Sequence, residues 1–207
     1  MRTATWYFDF VSPFAYIGLN RLKELPSDVA IIYRPVLFAG LLNHWEQKGP
    51  AELPTKRRYT YRWTHWWAKS LGLPFKYPAA HPFNPLHHLR LAVACGSKPE
   101  AIRMIFDEIW TTGADASDAG RFSALSGKLG IAEIGQEAKD LLRKNTEQAV
   151  QRGVFGVPTF EVDGELFWGA DSMEFLRSFL ADPAELRNAE MLRLDGLPVA
   201  AARRSNG

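Results

Sequence analysis

The chain has 207 residues, 46% of them hydrophobic, and a formal net charge of +2 at pH 7. This composition predicts a globular protein; no block of like charges indicates nucleic-acid binding, and no apolar run approaches the roughly 20 residues of a membrane span. The single Cys95 excludes an internal disulfide and a Cys-x-x-Cys redox pair, and the absence of a signal-peptide pattern predicts a cytoplasmic protein.

The first predicted element is a buried strand from Thr5 to Val11, which is aromatic and β-branched. Apolar residues at helical spacing follow from Phe14 to Leu22. Pro13 between them suits a first helical turn, where its missing N–H would be unpaired anyway. Ser12 is therefore the predicted N-cap, at a turn whose free N–H groups and helix dipole favour negative charge. Ordinary capping, without a ligand, explains the same residue.

A second buried strand is predicted from Val29 and ends near Pro35, so the chain begins as a βαβ unit with a parallel strand pair. From residue 39 to residue 152 the patterns are helical. The predicted helices lie near residues 55–71, 84–96, 97–113, 119–129 and 135–152. The helix after Ser97 is expected to open with a capping box of Ser97 and Glu100.

Strand character returns near Gly153. Two apolar segments flank Asp163-Gly164, which predicts a hairpin with a type I′ turn. A second capping box, Asp171 to Glu174, is expected to open the helix that follows.

The predicted fold class is α/β, a thioredoxin-like domain (βαβ…ββα) interrupted by an all-helical insertion domain. Residues 1–38 and 153–186 would form the thioredoxin-like domain, residues 39–152 the insertion, and residues 187–207 a C-terminal extension. A cleft between the two domains is the expected site.

Val157 precedes a proline at the start of the predicted third strand. A cis Val157–Pro158 bond would leave the N–H and C=O of Val157 free at a sheet edge, where an extended peptide pairs by strand addition. The alternative is a proline that merely starts an edge strand.

Asp171 and Ser172 offer a helix N-terminus for a carboxylate and an acid for an ammonium group. A free amino-acid end carries both charges. One peptide-like ligand would then run from Asp171 and Ser172, past Val157, to Ser12. A routine capping box is the other interpretation of the same two residues.

Five motifs taken together resemble the 2-hydroxychromene-2-carboxylate isomerases, relatives of the kappa-class glutathione transferases. They are Phe8-Asp-Phe-Val-Ser12-Pro-Phe-Ala-Tyr16, Lys56-Arg-Arg-Tyr59, Ala80-His-Pro-Phe-Asn84, Gly153-Val-Phe-Gly-Val-Pro-Thr-Phe160 and Phe167-Trp-Gly-Ala-Asp171. The resemblance runs over residues 4–181. It implies a thioredoxin-like fold, a homodimer, glutathione as cofactor, and cis–trans isomerisation of an aromatic keto acid in aromatic hydrocarbon (naphthalene-type) catabolism.

The resemblance also implies roles for individual residues. Ser12 would face the glutathione thiol, Val157 would pair with the tripeptide backbone, and Lys56 would face the ligand. The γ-glutamyl end would meet Ala170, Asp171 and Ser172. Two positions depart from the kappa-class pattern, with Gln47 in place of an Asn and Ser172 in place of an Arg.

A serine suits this role physically. A thiol of pKa ~8.5 is only a few per cent thiolate at neutral pH. A hydroxyl donor together with a helix N-terminus would lower that pKa by about a unit or more. Ser12 would act as a hydrogen-bond donor, and no obvious histidine base accompanies it in the sequence.

The helical region is expected to supply the substrate pocket. Trp66 and its aromatic neighbours would provide the ring surface, Asn84 would hydrogen-bond a phenol or keto oxygen, and three cations would pair with the carboxylate: Lys48, Lys56 and Arg57. The alternative makes the tryptophans core, the arginines solvated and Asn84 only a helix cap; it is preferred for Trp63, Arg58 and Arg62.

No metal site is predicted, because the adjacent His87 and His88 diverge on a helix, and Cys95 is expected to be an inert thiol. Two other functions stay open: a kappa-like transferase that conjugates glutathione, and a non-catalytic carrier of aromatic anions. Disulfide exchange is disfavoured because residues 12–15 contain no cysteine.

Overall fold

The computed structural model describes residues 2–201. The strands are β1 (Arg2–Phe8), β2 (Val29–Pro35), β3 (Thr159–Val162) and β4 (Glu165–Trp168). The helices are α1 (Pro13–Arg21), α2 (Phe38–His44), α3 (Pro54–Ser70), α4 (Leu86–Ala94), α5 (Pro99–Trp110), α6 (Ala119–Lys128), α7 (Gln136–Gln151), α8 (Met173–Ala181) and α9 (Ala189–Asp195). Short 3-10 helices span Leu22–Glu24, Pro50–Glu52, Ala170–Ser172 and Pro183–Arg187.

The four strands form one mixed sheet in the order β2-β1-β3-β4. β1 pairs parallel with β2 and antiparallel with β3, which confirms the opening βαβ unit. β3 and β4 form the predicted hairpin, and its turn residues Asp163 and Gly164 both have positive φ (52° and 87°), as a type I′ turn requires. β3 is an interior strand, so both expectations of a sheet edge are wrong: Pro158 does not start an edge strand, and Val157, which precedes it, does not lie on one.

Alternate residues of β1 enter two separate clusters of buried side chains. Trp6 and Phe8 pack in the larger cluster with Phe106 of α5. Tyr7 points to the opposite face, where it joins Leu41 of α2 and Ala149 of α7. The sheet therefore shares buried cores with helices α2, α5 and α7 of the predicted insertion. The division into two domains at residues 39 and 152 stays a prediction.

The strand-to-helix turn begins earlier than predicted. β1 ends at Phe8 rather than at Val11, because the Asp9 carboxylate accepts a hydrogen bond from the Val11 N–H (3.0 Å) and turns the chain.

Both predicted capping boxes are wrong. Ser97 has φ +53° and Lys98 occupies the N-cap of α5 without a side-chain bond. Asp171 lies inside the 3-10 turn Ala170–Ser172 rather than at the N-cap of α8. That cap is Ser172, whose hydroxyl donates to the Gly169 carbonyl (2.8 Å) instead of accepting from α8.

The predicted C-terminal extension starts at the last residue of the final 3-10 helix and contains α9, whose Leu192 and Leu194 are exposed. Its final six residues, 202–207, lie outside the described part of the chain. Within residues 2–201, no helix has the length and hydrophobicity to cross a bilayer.

Candidate functional site

Residues 9–12 connect β1 to α1 and form the Ser12 turn. Ser12 itself is buried, with 6% of its surface exposed. Its hydroxyl oxygen accepts a hydrogen bond from the Ala15 N–H (3.2 Å), which confirms the predicted N-cap. Pro13 occupies the first helical position, as the sequence indicated.

The loop before β3 meets this turn, although 145 residues separate the two in the sequence. The Val157–Pro158 peptide bond is cis. The Ser12 hydroxyl donates to the Val157 carbonyl over 3.4 Å, which is long for an O–H···O bond. The Val157 carbonyl is therefore not free, contrary to expectation, although the bond is weak enough for a better acceptor to displace.

Two backbone donors beside Ser12 lack partners. Across residues 2–201 no hydrogen bond forms from the N–H of Phe14, in the first turn of α1, or from that of Val157. Val157 is buried, so an unpaired N–H there is costly unless a ligand accepts from it. The Ser12 hydroxyl and these two N–H groups form a set of donors suited to an anion.

The 3-10 turn at Ala170–Ser172 lies along the same helix. Arg21 of α1 donates to the Ala170 carbonyl (2.8 Å). At Gly18, one turn earlier, an added β-carbon would lie 3.6 Å from Pro158 and 3.8 Å from Ala170. Ala170 is buried and Asp171 is exposed. The residues predicted to bind glutathione on the thioredoxin-like side are therefore brought together along α1.

Helix α3 approaches α1 through tryptophans. The Trp63 ring lies 5.3 Å from the Phe14 ring, centroid to centroid, and stacks on Trp67. The Arg21 guanidinium lies over the Trp67 ring at 5.8 Å. Trp66 is 64% exposed and takes no part in these ring contacts of the described residues. Trp63, expected from the sequence to be core, is half-buried and next to the Ser12 turn.

The remaining predicted site residues are exposed, and among residues 2–201 none of them forms a hydrogen bond or ion pair with the Ser12 turn. Lys48, Lys56 and Arg57 have no ion-pair partner within the described chain. Asn84 accepts from the Leu86 N–H (3.1 Å), but Pro85 occupies the N-cap of α4, so the prediction of Asn84 as the cap itself is wrong by one position. Their proposed contacts with ligand stay predictions.

Three side chains that sequence reasoning missed hold the Ser12 turn: Trp110 and Asp9, which are buried, and His81, which is half-buried. The Trp110 indole N–H donates to the Phe10 carbonyl (2.9 Å), and His81 Nε2 lies 2.8 Å from the Val11 carbonyl. A carbonyl only accepts, so His81 carries a proton on Nε2. The Tyr61 hydroxyl lies 2.7 Å from both Nδ1 and the backbone carbonyl of His81, and its one proton faces these two acceptors. The third is Asp9, and its position in an otherwise apolar segment was the available signal.

Burial changes the titration of two of these groups. It raises the pKa of the Asp9 carboxyl to about 7, against three backbone hydrogen bonds that act to lower it. Burial also lowers the pKa of His81 below its ordinary value, which its bond to the Val11 carbonyl only partly offsets. His81 is therefore neutral at pH 7, in keeping with the tautomer that the hydrogen bonds require.

No three His, Cys, Asp or Glu side chains come together as metal ligands in the described residues. Cys95 is half-buried and burial raises the pKa of its thiol, so it is a poor nucleophile, as expected.

Comparison with known proteins adds independent information. A model of the DSBA-like thioredoxin domain matches residues 3–181. The chain is 29% identical over 196 residues to a 2-hydroxychromene-2-carboxylate isomerase of Sphingobium xenophagum, covering 87% of this chain and 99% of the relative. It is 30% identical over 191 residues to the Pseudomonas putida protein of that name, covering 84% and 91%. A solved 2-hydroxychromene-2-carboxylate isomerase has the same fold, with a TM-score of 0.74 at 24% identity over 91% of this chain and 98% of that one.

Proposed function

This chain belongs to the DSBA-like thioredoxin family and is an isomerase of the 2-hydroxychromene-2-carboxylate isomerase group, and from that premise we propose that it works with glutathione. The proposed reaction interconverts 2-hydroxychromene-2-carboxylate and trans-o-hydroxybenzylidenepyruvate, or close polycyclic analogues, during the breakdown of aromatic hydrocarbons.

The observation that carries the proposal is the donor set at Ser12. A buried hydroxyl makes only a 3.4 Å bond to the Val157 carbonyl, beside two N–H groups without partners among residues 2–201. A thiolate at this position would accept from the hydroxyl and from the Phe14 N–H, at the positive end of the α1 dipole. The Val157 N–H would bind the peptide backbone of the same ligand.

When bound, glutathione would supply a thiolate nucleophile for reversible addition to the conjugated C=C of the keto acid, which is the chemistry that permits rotation about that bond. The protein's own part is to keep the sulfur anionic and in place. Ser12 donates a hydrogen bond from its hydroxyl to the sulfur, keeps its proton and is not itself a nucleophile. Ala170, Asp171 and Ser172 hold the γ-glutamyl end, and Lys56 faces the ligand from α3.

We assign the keto acid to the α3 side of the Ser12 turn. Lys48 and Arg57 would pair with its carboxylate, Asn84 would hydrogen-bond its phenol or keto oxygen, and Trp66 would cover its ring. The exposure of all four side chains supports this role, since they are free to close on a ligand.

The test is turnover of a chromene carboxylate with and without glutathione, for wild type and Ser12→Ala. We expect turnover that needs glutathione but does not consume it, and a loss of about 100-fold or more in Ser12→Ala with the fold intact. Ser126→Ala is the matched control, because its hydroxyl also donates to a backbone carbonyl, at the end of α6. Unchanged turnover in Ser12→Ala would refute the role of Ser12.

The same measurement separates the other two functions. One glutathione consumed for each product would indicate a conjugating transferase of the kappa type. Binding of aromatic anions that survives Ser12→Ala, with no glutathione-dependent rate in the wild type, would indicate a carrier.

We also propose a cytoplasmic homodimer. The single cysteine fits a reducing compartment, in which glutathione is abundant. Sedimentation equilibrium of the full chain tests the oligomeric state, and a monomer at micromolar concentration would contradict it.

A further inference from the structure

Asp9 connects three parts of the structure. It is fully buried at the end of β1. One carboxylate oxygen accepts from the Val11 N–H (3.0 Å) and the other from the Phe38 N–H at the start of α2 (2.8 Å). Its backbone carbonyl accepts from the Ser12 N–H (3.1 Å). The Asp9 side chain therefore links the Ser12 turn to the N-terminus of α2 by hydrogen bonds.

The rest of that turn is held in a similar way. The carbonyl of Phe10 accepts from Trp110 and that of Val11 from His81. None of these bonds involves the Ser12 hydroxyl. That hydroxyl accepts from the Ala15 N–H and makes only a long hydrogen bond to the Val157 carbonyl. A turn fixed through its backbone and open at one hydroxyl is preorganised for a ligand.

We propose that Asp9 is a positioning residue that aims the Ser12 hydroxyl at the glutathione thiol and couples its own ionisation to that of the thiol. This inference rests on the proposed function. Asp9 acts through the Val11 amide and the Ser12 backbone and touches neither glutathione nor substrate. It is not a proton donor in the reaction, because both of its oxygens are engaged by backbone N–H groups.

The coupling is electrostatic. An ionised Asp9 and a thiolate beside Ser12 are like charges in a buried region, so each disfavours the other. Asp9 titrates near pH 7, and burial and backbone bonds alone account for this, without a contribution from any charged side chain of the described residues. His81, a titratable side chain from the segment between α3 and α4 that bonds to the Val11 carbonyl of this turn, stays neutral above its lowered pKa. Two coupled groups titrate over a wider pH range than one.

The experiment compares wild type with Asp9→Asn and Asp9→Ala. It follows the ultraviolet absorbance of the bound glutathione thiolate against pH, together with kcat and KM. Asp9→Asn keeps one hydrogen-bond acceptor and removes the negative charge. We therefore expect the titration curve of the bound glutathione thiol to fit the loss of a single proton, over a narrower pH range and with its midpoint at a lower pH than in wild type. Asp9→Ala removes both acceptors, so kcat should fall about tenfold or more while KM for the keto acid changes less than about twofold.

Asp107→Asn is the matched control. Asp107 is a half-buried carboxyl on α5 whose pKa burial also raises, and it lies 4.0 Å from Arg103 rather than on the Ser12 turn. We expect the Asp107→Asn variant to have the same titration curve for the bound glutathione thiol, and the same kcat, as wild type.

A thiolate titration of Asp9→Asn that superimposes on that of wild type, or an unchanged kcat in Asp9→Ala, would overturn the proposal. Such a result differs from failure of the proposed function, in which wild type itself would show no glutathione-dependent turnover. Unfolding of each variant in urea identifies a loss of kcat that arises only from instability.

Discussion

The indole of Trp168 lies against the backbone of Gly156, so that a β-carbon on residue 156 would come within 2.5 Å of the indole nitrogen. Gly156 lies in the loop before β3 (residues 152–158, the Val157 loop), and Trp168 is the last residue of β4. Phe155 of the same loop packs on the indole at 5.2 Å between ring centroids. Only glycine lets the ring lie flat on this loop. The side chain of Trp168 at the end of β4 therefore helps to set the position of the Val157 N–H.

Gly156→Ala should weaken glutathione binding. The added methyl group displaces the indole and moves the loop, so we expect the Kd for glutathione to rise about five- to tenfold, as measured by calorimetry. Trp168 is 55% exposed and has room to move outward, so the free energy of unfolding should fall by less than about 2 kcal/mol.

Two further variants isolate that contact. The double variant Gly156→Ala/Trp168→Leu removes the clash and should regain most of the affinity for glutathione. Gly127→Ala lies inside α6, where a β-carbon meets nothing within 4 Å, and it should leave the affinity unchanged. If the double variant binds glutathione no better than Gly156→Ala, the indole is not what positions the loop.

Trp63→Leu should impair the reaction of the aromatic acid while leaving glutathione affinity unchanged. Trp63 rests on Phe14, two residues after Ser12, so its ring is the nearest large aromatic surface on α3 to the proposed thiolate. We expect kcat/KM for the aromatic acid to fall about tenfold or more, a loss of ~1.4 kcal/mol in binding of the transition state. Steady-state kinetics at saturating glutathione measures it.

Phe175→Leu is the control for Trp63→Leu. It removes a ring that is 44% exposed and packs on Phe167 at the α8 side of the sheet. Equal losses of kcat/KM in the two variants would show a general effect of lost aromatic packing rather than a substrate surface on α3.

Local patterns in the sequence were sufficient for much of the fold. Alternation and β-branching located the strands, Ser12-Pro13 located the start of α1, and Asp163-Gly164 specified the hairpin turn, because each depends on neighbouring residues. The motifs predicted the isomerase group and the thioredoxin-like fold, and both are confirmed.

Contacts between remote residues could not be predicted in this way. The bonds from His81 and Trp110 to the Ser12 turn span 70 and 100 residues, and no local pattern encodes them. The two capping boxes failed for a different reason, because each predicted cap residue lies outside the cap position. Ser97 has positive φ one residue before the N-cap of α5, and Asp171 belongs to the 3-10 turn before α8. Trp63 was assigned to the core because helical spacing alone does not say which neighbour a half-buried ring meets.

Tyr7→Phe should destabilise the protein by about 1–3 kcal/mol. The Tyr7 hydroxyl donates to the buried Glu161 carboxylate (2.6 Å), which also pairs with Arg152. Without the hydroxyl, a buried carboxylate oxygen loses its donor. Tyr33→Phe is the control, because the Tyr33 hydroxyl has no hydrogen-bond partner among residues 2–201. Urea unfolding measures both, and an equal effect in the two variants would contradict the role of the Tyr7–Glu161 bond.

The last prediction concerns the pH dependence of stability at Asp9. Its pKa is raised from 3.8 to about 7 on folding, so the folded protein holds a proton that the unfolded chain has lost. Stability from this group is therefore present at low pH and disappears as the pH rises towards about 7. Between pH 5 and pH 8 the loss amounts to about 2–3 kcal/mol at ~1.4 kcal/mol per pH unit.

Asp9→Asn is neutral at every pH and removes this dependence. Urea unfolding of wild type and Asp9→Asn at pH 5 and pH 8 gives two differences in the free energy of unfolding. The free energy of unfolding of wild type minus that of Asp9→Asn should be larger at pH 5 than at pH 8, by about 2–3 kcal/mol. Because every other titratable group is common to both proteins, a difference that is equal at the two pH values would mean that Asp9 is already ionised at pH 5, held as a carboxylate by the N–H groups of Val11 and Phe38.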